Sequence, residues 1–191
     1  MRLLVLPLLL LVAACGSQPP QTSTYLLRAD SDPQSLRREP ATDIAFGRLE
    51  IAGYIDQPGL VLKTGEGEVH AARYHQWAEP LRTSLEALLQ SEISRQLGRD
   101  IRFQPDGAVA TRIDVIIDQL HGNADGEAVL VAAWRLRRIQ EGDEVHRFVG
   151  RQPLERNGYA ALVEAERQLL LRLAGAITAS VVAAADPAGH Q

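Results

Sequence analysis

Five histidines, twenty-four carboxylates and one cysteine are the groups from which this 191-residue chain would build a reactive site. His70 and His75 lie five apart, a spacing that stacks neither on a helix face nor on one face of a strand. His121 and His146 fall on candidate strands of one meander. Edge histidines are the simpler reading there than a metal pair. Asp114 and Asp118, with Ile116 between them, share a face if their strand is regular. Paired carboxylates support acid–base chemistry, but the simpler reading is the solvated face of a half-buried sheet. Glu164 and Glu166 do not share a helical face. No serine sits in a Gly-x-Ser-x-Gly turn, and no Gly-Lys-Ser/Thr follows the glycines near Thr64. Arg135, Arg137 and Arg138 close a candidate strand, where solvent, acidic protein surface or lipid headgroups would meet them.

His75-Gln76-Trp77-Ala78-Glu79-Pro80 stands out, because it sets a tryptophan between a strand end and a helix start. Trp77 would staple the incoming chain to the next helical turn, and Glu79 would complement the helix dipole. An aromatic among polar groups is also how interface anchors look. Physics alone favours the structural role.

The cysteine, Cys15, follows Arg2, an apolar run over residues 3–12, and Ala13-Ala14. That is the layout of a secretory signal. The run is about half of the roughly 20 residues that a membrane-spanning helix needs. Val12-Ala13-Ala14-Cys15 resembles the bacterial lipobox, which implies cleavage before Cys15, a diacylglyceryl group on its thiol and an acyl chain on its amine. Several acyl chains give firm anchoring. Gly16 stands where an Asp would resemble an inner-membrane retention signal, which favours the outer membrane. A lone cysteine leaves no disulfide framework, and a net charge of −4 argues against nucleic acid.

The expected layout is a signal over 1–14, an acylated Cys15 with a tether over 15–23, one domain over 24–185 and a frayed tail over 186–191. Apolar residues make up 46% of the chain, enough for a core. Residues 24–28 and 44–52 are β-prone, and 29–41 read as loop. Residues 60–63 and 69–74 form a hairpin across Thr64-Gly65-Glu66-Gly67-Glu68. Leu81, Leu85, Leu88, Leu89 and Ile93 recur at helical spacing over 80–97, between Pro80 and Gly98. Strands follow over 111–120, 127–139 and 144–154, joined by short turns that suit an antiparallel meander. A second helix over 158–184 carries Leu162, Leu169, Leu170, Leu173, Ile177 and Val181. The expected fold class is therefore α+β: a largely antiparallel sheet with two amphipathic helices packed on it, in one domain.

Three segments carry a family resemblance: Tyr25-Leu26-Leu27, then residues 49–61 with Tyr54, Asp56 and Pro58, then His75-Gln76-Trp77-Ala78-Glu79-Pro80-Leu81. Residues 126–136, with Trp134, echo it. The chain resembles the PqiC-type (YmbA-type) auxiliary lipoproteins of ABC-type transport systems. Ala52-Gly53 replaces an expected Leu-Pro, and Gln57 stands where Arg is common. The resemblance implies an outer-membrane lipoprotein on the periplasmic side. It would work with an inner-membrane permease and a periplasm-spanning MCE-domain protein to move lipids or other hydrophobic molecules between membranes, supporting envelope integrity. It implies no catalytic residue and no cofactor, and leaves room for a homo-oligomer that matches a ringed partner. The expected partner-binding residues are Tyr54, Asp56, Pro58, His75, Trp77, Glu79 and Pro80. The alternative is a periplasmic lipid carrier that encloses its ligand between sheet and helices. An envelope hydrolase would need a nucleophile–base set.

Overall fold

The computed structural model describes residues 21–29, 38–106, 109–139 and 141–185. Cys15, the signal, most of the tether and the 186–191 tail lie outside them. The chain forms β1 (Ser23–Tyr25), β2 (Pro40–Ile51), β3 (Gly59–Lys63), β4 (Val69–Trp77), α1 (Leu81–Leu97), β5 (Asp100–Phe103), β6 (Thr111–Gly122), β7 (Glu127–Arg138), β8 (Gly142–Pro153) and α2 (Tyr159–Ala185), in that order.

The strands make one sheet with β6 as its axis. Along one side β6 pairs β7, and β7 pairs β8, both antiparallel. The other side of β6 is divided. From Thr111 to Ile117 it pairs β2 in parallel, whereas at its end Gly122 stands opposite Leu62 of β3. The sheet forks there. One arm continues to β5, the other to β4 and then β1. A bulge between Ile117 and Gln119 takes Asp118 out of the β6–β7 pairing at this same point, so Asp114 and Asp118 do not belong to one regular strand face.

The sheet is mixed, which corrects the expected largely antiparallel one. Pairings β3–β4, β6–β7 and β7–β8 are antiparallel, while β1–β4, β2–β5, β2–β6 and β3–β6 are parallel. The physical reason is connection length. Each antiparallel pair is joined by a short turn that the sequence displays. Each parallel pair is separated by a long crossover, which leaves no local signature. Strand β5 went unanticipated because four residues are too few to show a period. Its place is fixed from α1: Ser94 Oγ accepts the Ile101 N–H at 3.0 Å, and the Gln90 amide donates to the Ile101 carbonyl at 2.8 Å.

α1 packs on β2 and β5, α2 on β6, β7 and β8, and the helices pack on each other, so both cover one sheet face. Leu85, Leu88, Leu89, Ile93, Leu169, Leu173 and Ile177 are fully buried between them and the strands. α1 ends at Gly98, in the left-handed conformation at φ 67°. α2 is long and apolar enough to cross a membrane by length and composition; here its apolar stripe closes the core instead. Trp134 ties it to the sheet, donating its Nε1–H to Ser180 Oγ at 2.9 Å and stacking on His146. His121 stands opposite Val129 and His146 opposite Trp134, so the two histidines do not face each other.

Candidate functional site: the sheet fork and the start of α1

Chain leaving β2 at Ile51 must cross the fork to begin β3 at Gly59, and residues 52–58 fill the gap. Ala52 donates its N–H to the Ile117 carbonyl at 2.9 Å. Ile55 is buried in the core. Tyr54 is half-buried, and its ring lies 6.3 Å from that of His121. Burial pushes the Tyr54 phenol up, and burial holds His121 below the ordinary histidine value. His121 Nδ1 lies 3.0 Å from the Gly122 carbonyl, and its Nε2 lies 3.3 Å from the Gln119 side-chain oxygen.

The start of α1 docks against this plug. Trp77 donates its N–H to the Pro58 carbonyl at 2.8 Å, and Arg82 of α1 reaches Asp56 at 3.1 Å. A second guanidinium nitrogen of Arg82 bonds the Leu49 carbonyl. β1 runs parallel to β4 with Tyr25 opposite Trp77, and the Ala78 N–H bonds the Tyr25 carbonyl at 2.8 Å. The Tyr25 hydroxyl lies 2.9 Å from His75 Nδ1, and His75 stacks on Tyr159 of α2 at 4.1 Å. Glu79 does not cap α1. It accepts Arg28 at 2.7 Å and the Ser84 hydroxyl at 2.5 Å, and these donors hold its carboxyl below the usual range.

The three segments far apart in sequence thus meet at one junction. Their exposure differs. Asp56, Pro58 and Pro80 face solvent, Tyr54, His75 and Glu79 are half-buried, and Trp77 is only 8% exposed, inside the core. Chemically the junction is a set of staples: ion pairs, stacked rings and backbone bonds that hold one another.

A family model described as "ABC-type transport auxiliary lipoprotein component" matches residues 25–178. The chain belongs to that family. The matched span of this auxiliary lipoprotein starts at Tyr25 and takes in all three segments. The crystal structure of an uncharacterized protein superposes on it with a TM-score of 0.72 at 22% identity, covering 84% of this chain and 99% of that one. Protein XCC0632 from Xanthomonas campestris, of family DUF330, superposes at 0.65 with 12% identity, covering 89% of this chain and 100% of that one. Both show the shared fold. No curated protein matches the chain significantly.

Sequence reasoning missed several residues of the auxiliary lipoprotein's junction. Arg28, Tyr159 and Glu166 reach it only through the fold. Asp114 is a brace rather than half of a carboxylate pair. One carboxylate oxygen accepts the Arg48 N–H at 2.9 Å across a bulge in β2, and the other binds Arg137 at 2.7 Å. Gly47 was the available clue, since a Cβ there would meet Asp114 Oδ1 at 2.1 Å. Gly59 is equally constrained, because a Cβ would lie 2.5 Å from the Ala72 carbonyl oxygen, which is backbone. Gly59→Ala is expected to destabilise the domain by about 1–3 kcal/mol, read as a lower urea midpoint. An unchanged midpoint would show that β3 and β4 separate freely.

Proposed function

We propose that this chain is the outer-membrane-anchored, periplasmic docking component of an MCE-type ABC transport system. That system would move lipids or other hydrophobic molecules between the inner and outer membranes. The chain binds rather than catalyses. The observation that carries the reading is the junction. The segments that bear the family resemblance converge there, most of their polar groups hold the fold together, and Asp56, held by Arg82 yet exposed, forms a rigid patch with Pro58 and Pro80. A lipid in water costs about 25 cal/mol for each Å² of apolar surface it exposes. A shielded route therefore needs a terminal piece fixed to the receiving membrane, and an acylated Cys15 with its tether supplies one. A cleft of about 330 Å³ between the end of β8 and α2 has Gln152, Glu155, Arg156, Glu164 and Gln168 in its wall, a lining that suits water better than an acyl chain.

The test is in-cell crosslinking of the tagged full-length lipoprotein, followed by mass spectrometry of what it retains. An MCE-domain protein is expected, and Asp56→Ala should cut its recovery severalfold while costing no more than about 1 kcal/mol of stability, the worth of its exposed ion pair with Arg82. Cys15→Ala should abolish incorporation of a palmitate analogue and release the chain from the membrane fraction. Retained acylation in that variant would remove the anchor from the argument. Absence of any MCE-domain protein, with phospholipid co-purifying instead, would favour the lipid-carrier reading.

A further inference from the structure

The forked sheet ends in three edges, and they are not alike. β1 and β5 close two of them with three and four residues. Short edge strands are a common protection against pairing with another chain. The third edge is β8, twelve residues long, in unbroken register with β7 and, among the described residues, with no strand beyond it.

Which backbone groups face that free edge follows from two contacts. In an antiparallel strand the N–H and C=O of one residue point the same way, and successive residues alternate. Just past the strand, Leu154 donates its N–H to the Gly126 carbonyl, so even-numbered residues turn toward β7. The Arg151 carbonyl instead accepts the Arg172 guanidinium from α2 at 2.9 Å, so odd-numbered residues turn to the edge. Val145, Arg147 and Val149 therefore offer backbone donors and acceptors outward. Their side chains lie on the sheet face opposite α1 and α2: Val145 is 62% and Val149 72% exposed, and Arg147 is exposed with no ion-pair partner among the described residues.

We propose that two copies of this chain pair antiparallel through β8, about a two-fold axis at Arg147. β8 is self-complementary in that register. Val145 stands opposite Val149 of the second copy, twice over. Asp143 stands opposite Arg151, also twice. Asp143 already contacts Arg135 at 3.5 Å and Arg151 contacts Glu127 at 3.3 Å, so each new pair joins two existing ones into a four-charge row on the open face. The backbone groups of Val145, Arg147 and Val149 bond their counterparts, and the Arg172 contact marks where pairing stops. Arg147 meets itself at the axis. That like-charged contact limits the dimer's strength, and its removal should tighten it. This pairing does not depend on the transport reading.

Directly opposed residues in a hydrogen-bonded antiparallel pair have Cα atoms about 5.5 Å apart, within disulfide range. Arg147→Cys in the full-length lipoprotein, isolated under oxidising conditions in mild detergent, should run as a disulfide-linked dimer on a non-reducing gel. Val145→Cys alone should stay monomeric, because its counterpart is Val149. Arg151→Asp should lower the dimer fraction in light scattering at least tenfold, and the added change Asp143→Arg should restore it. Each position is exposed, so an unchanged melting curve checks that the variants fold. Monomeric Arg147→Cys, equal linkage at positions 145 and 147, linkage to a different protein, or failure of the charge reversal to rescue would each overturn the proposal.

Discussion

Trp77→Ala should cost about 3–5 kcal/mol of stability, the range for deleting a buried aromatic and leaving a cavity. For a domain of this size that is roughly a 10 °C fall in melting temperature. Trp77 is 8% exposed and packs within the core cluster, while its backbone N–H holds the Pro58 carbonyl at the fork. Partner recovery should fall with the folded fraction, and no further. Asp56→Ala separates the two effects, because it removes an exposed carboxylate whose pair with Arg82 adds at most about 1 kcal/mol, so binding should weaken with the melt little changed. A melt of Trp77→Ala within about 2 °C of the parent would contradict the packing role and make Trp77 an interface anchor.

Glu166→Gln should remove a pH dependence. Glu166 is buried in α2, one of its carboxyl oxygens has no partner among the described residues, and burial pushes its pKa up to about 8 from an ordinary value near 4.5. Below about 4.5 both folded and unfolded states hold the proton, and the group costs nothing. Between 4.5 and 8 only the unfolded state ionises, so stability falls as pH rises; above 8 the loss is complete. The integrated difference is roughly 3–5 kcal/mol. Urea melts of parent and variant should therefore diverge from pH 5 to pH 8, with Glu166→Gln gaining relative to the parent. Parallel curves would show that Glu166 ionises normally. The residue lies near the fork plug, where its charge raises the Tyr54 phenol further, so ionisation would strain the same junction that the family segments build.

The reading of α1 from five apolar residues between Pro80 and Gly98 needed nothing beyond helical period, since each signal lies within one turn of the next. The stripe of α2 was legible for the same reason. Strands β7 and β8 announced themselves by the turns at Asn123 and Gly142. Strand β2 did not show its true start: Pro40 lacks a backbone donor, Thr42 and Asp43 are exposed and polar, and pairing with β5 and β6 extends the strand beyond its apolar stretch.

The candidate site divides in the same way. That His75 to Pro80 joins a strand to a helix was readable in order and residue type, whereas residue type left Trp77 open to both a structural and a partner-binding reading, and only its position in the fold shows that it is buried. That Tyr25, Pro58 and Trp77 touch was not readable, since the residues between them leave no periodic trace of the contact. By itself the sequence determined the elements with local signals, and it displays the lipobox-like motif ending at Cys15 and the family resemblance. Only the tertiary structure decided the parallel pairings, the fork that residues 52–58 plug, the burial of Glu166 and the free edge of β8. Periodicity and turn chemistry act over a few residues. Pairings between distant strands are chosen by the collective burial of one core, and no short stretch of sequence encodes that.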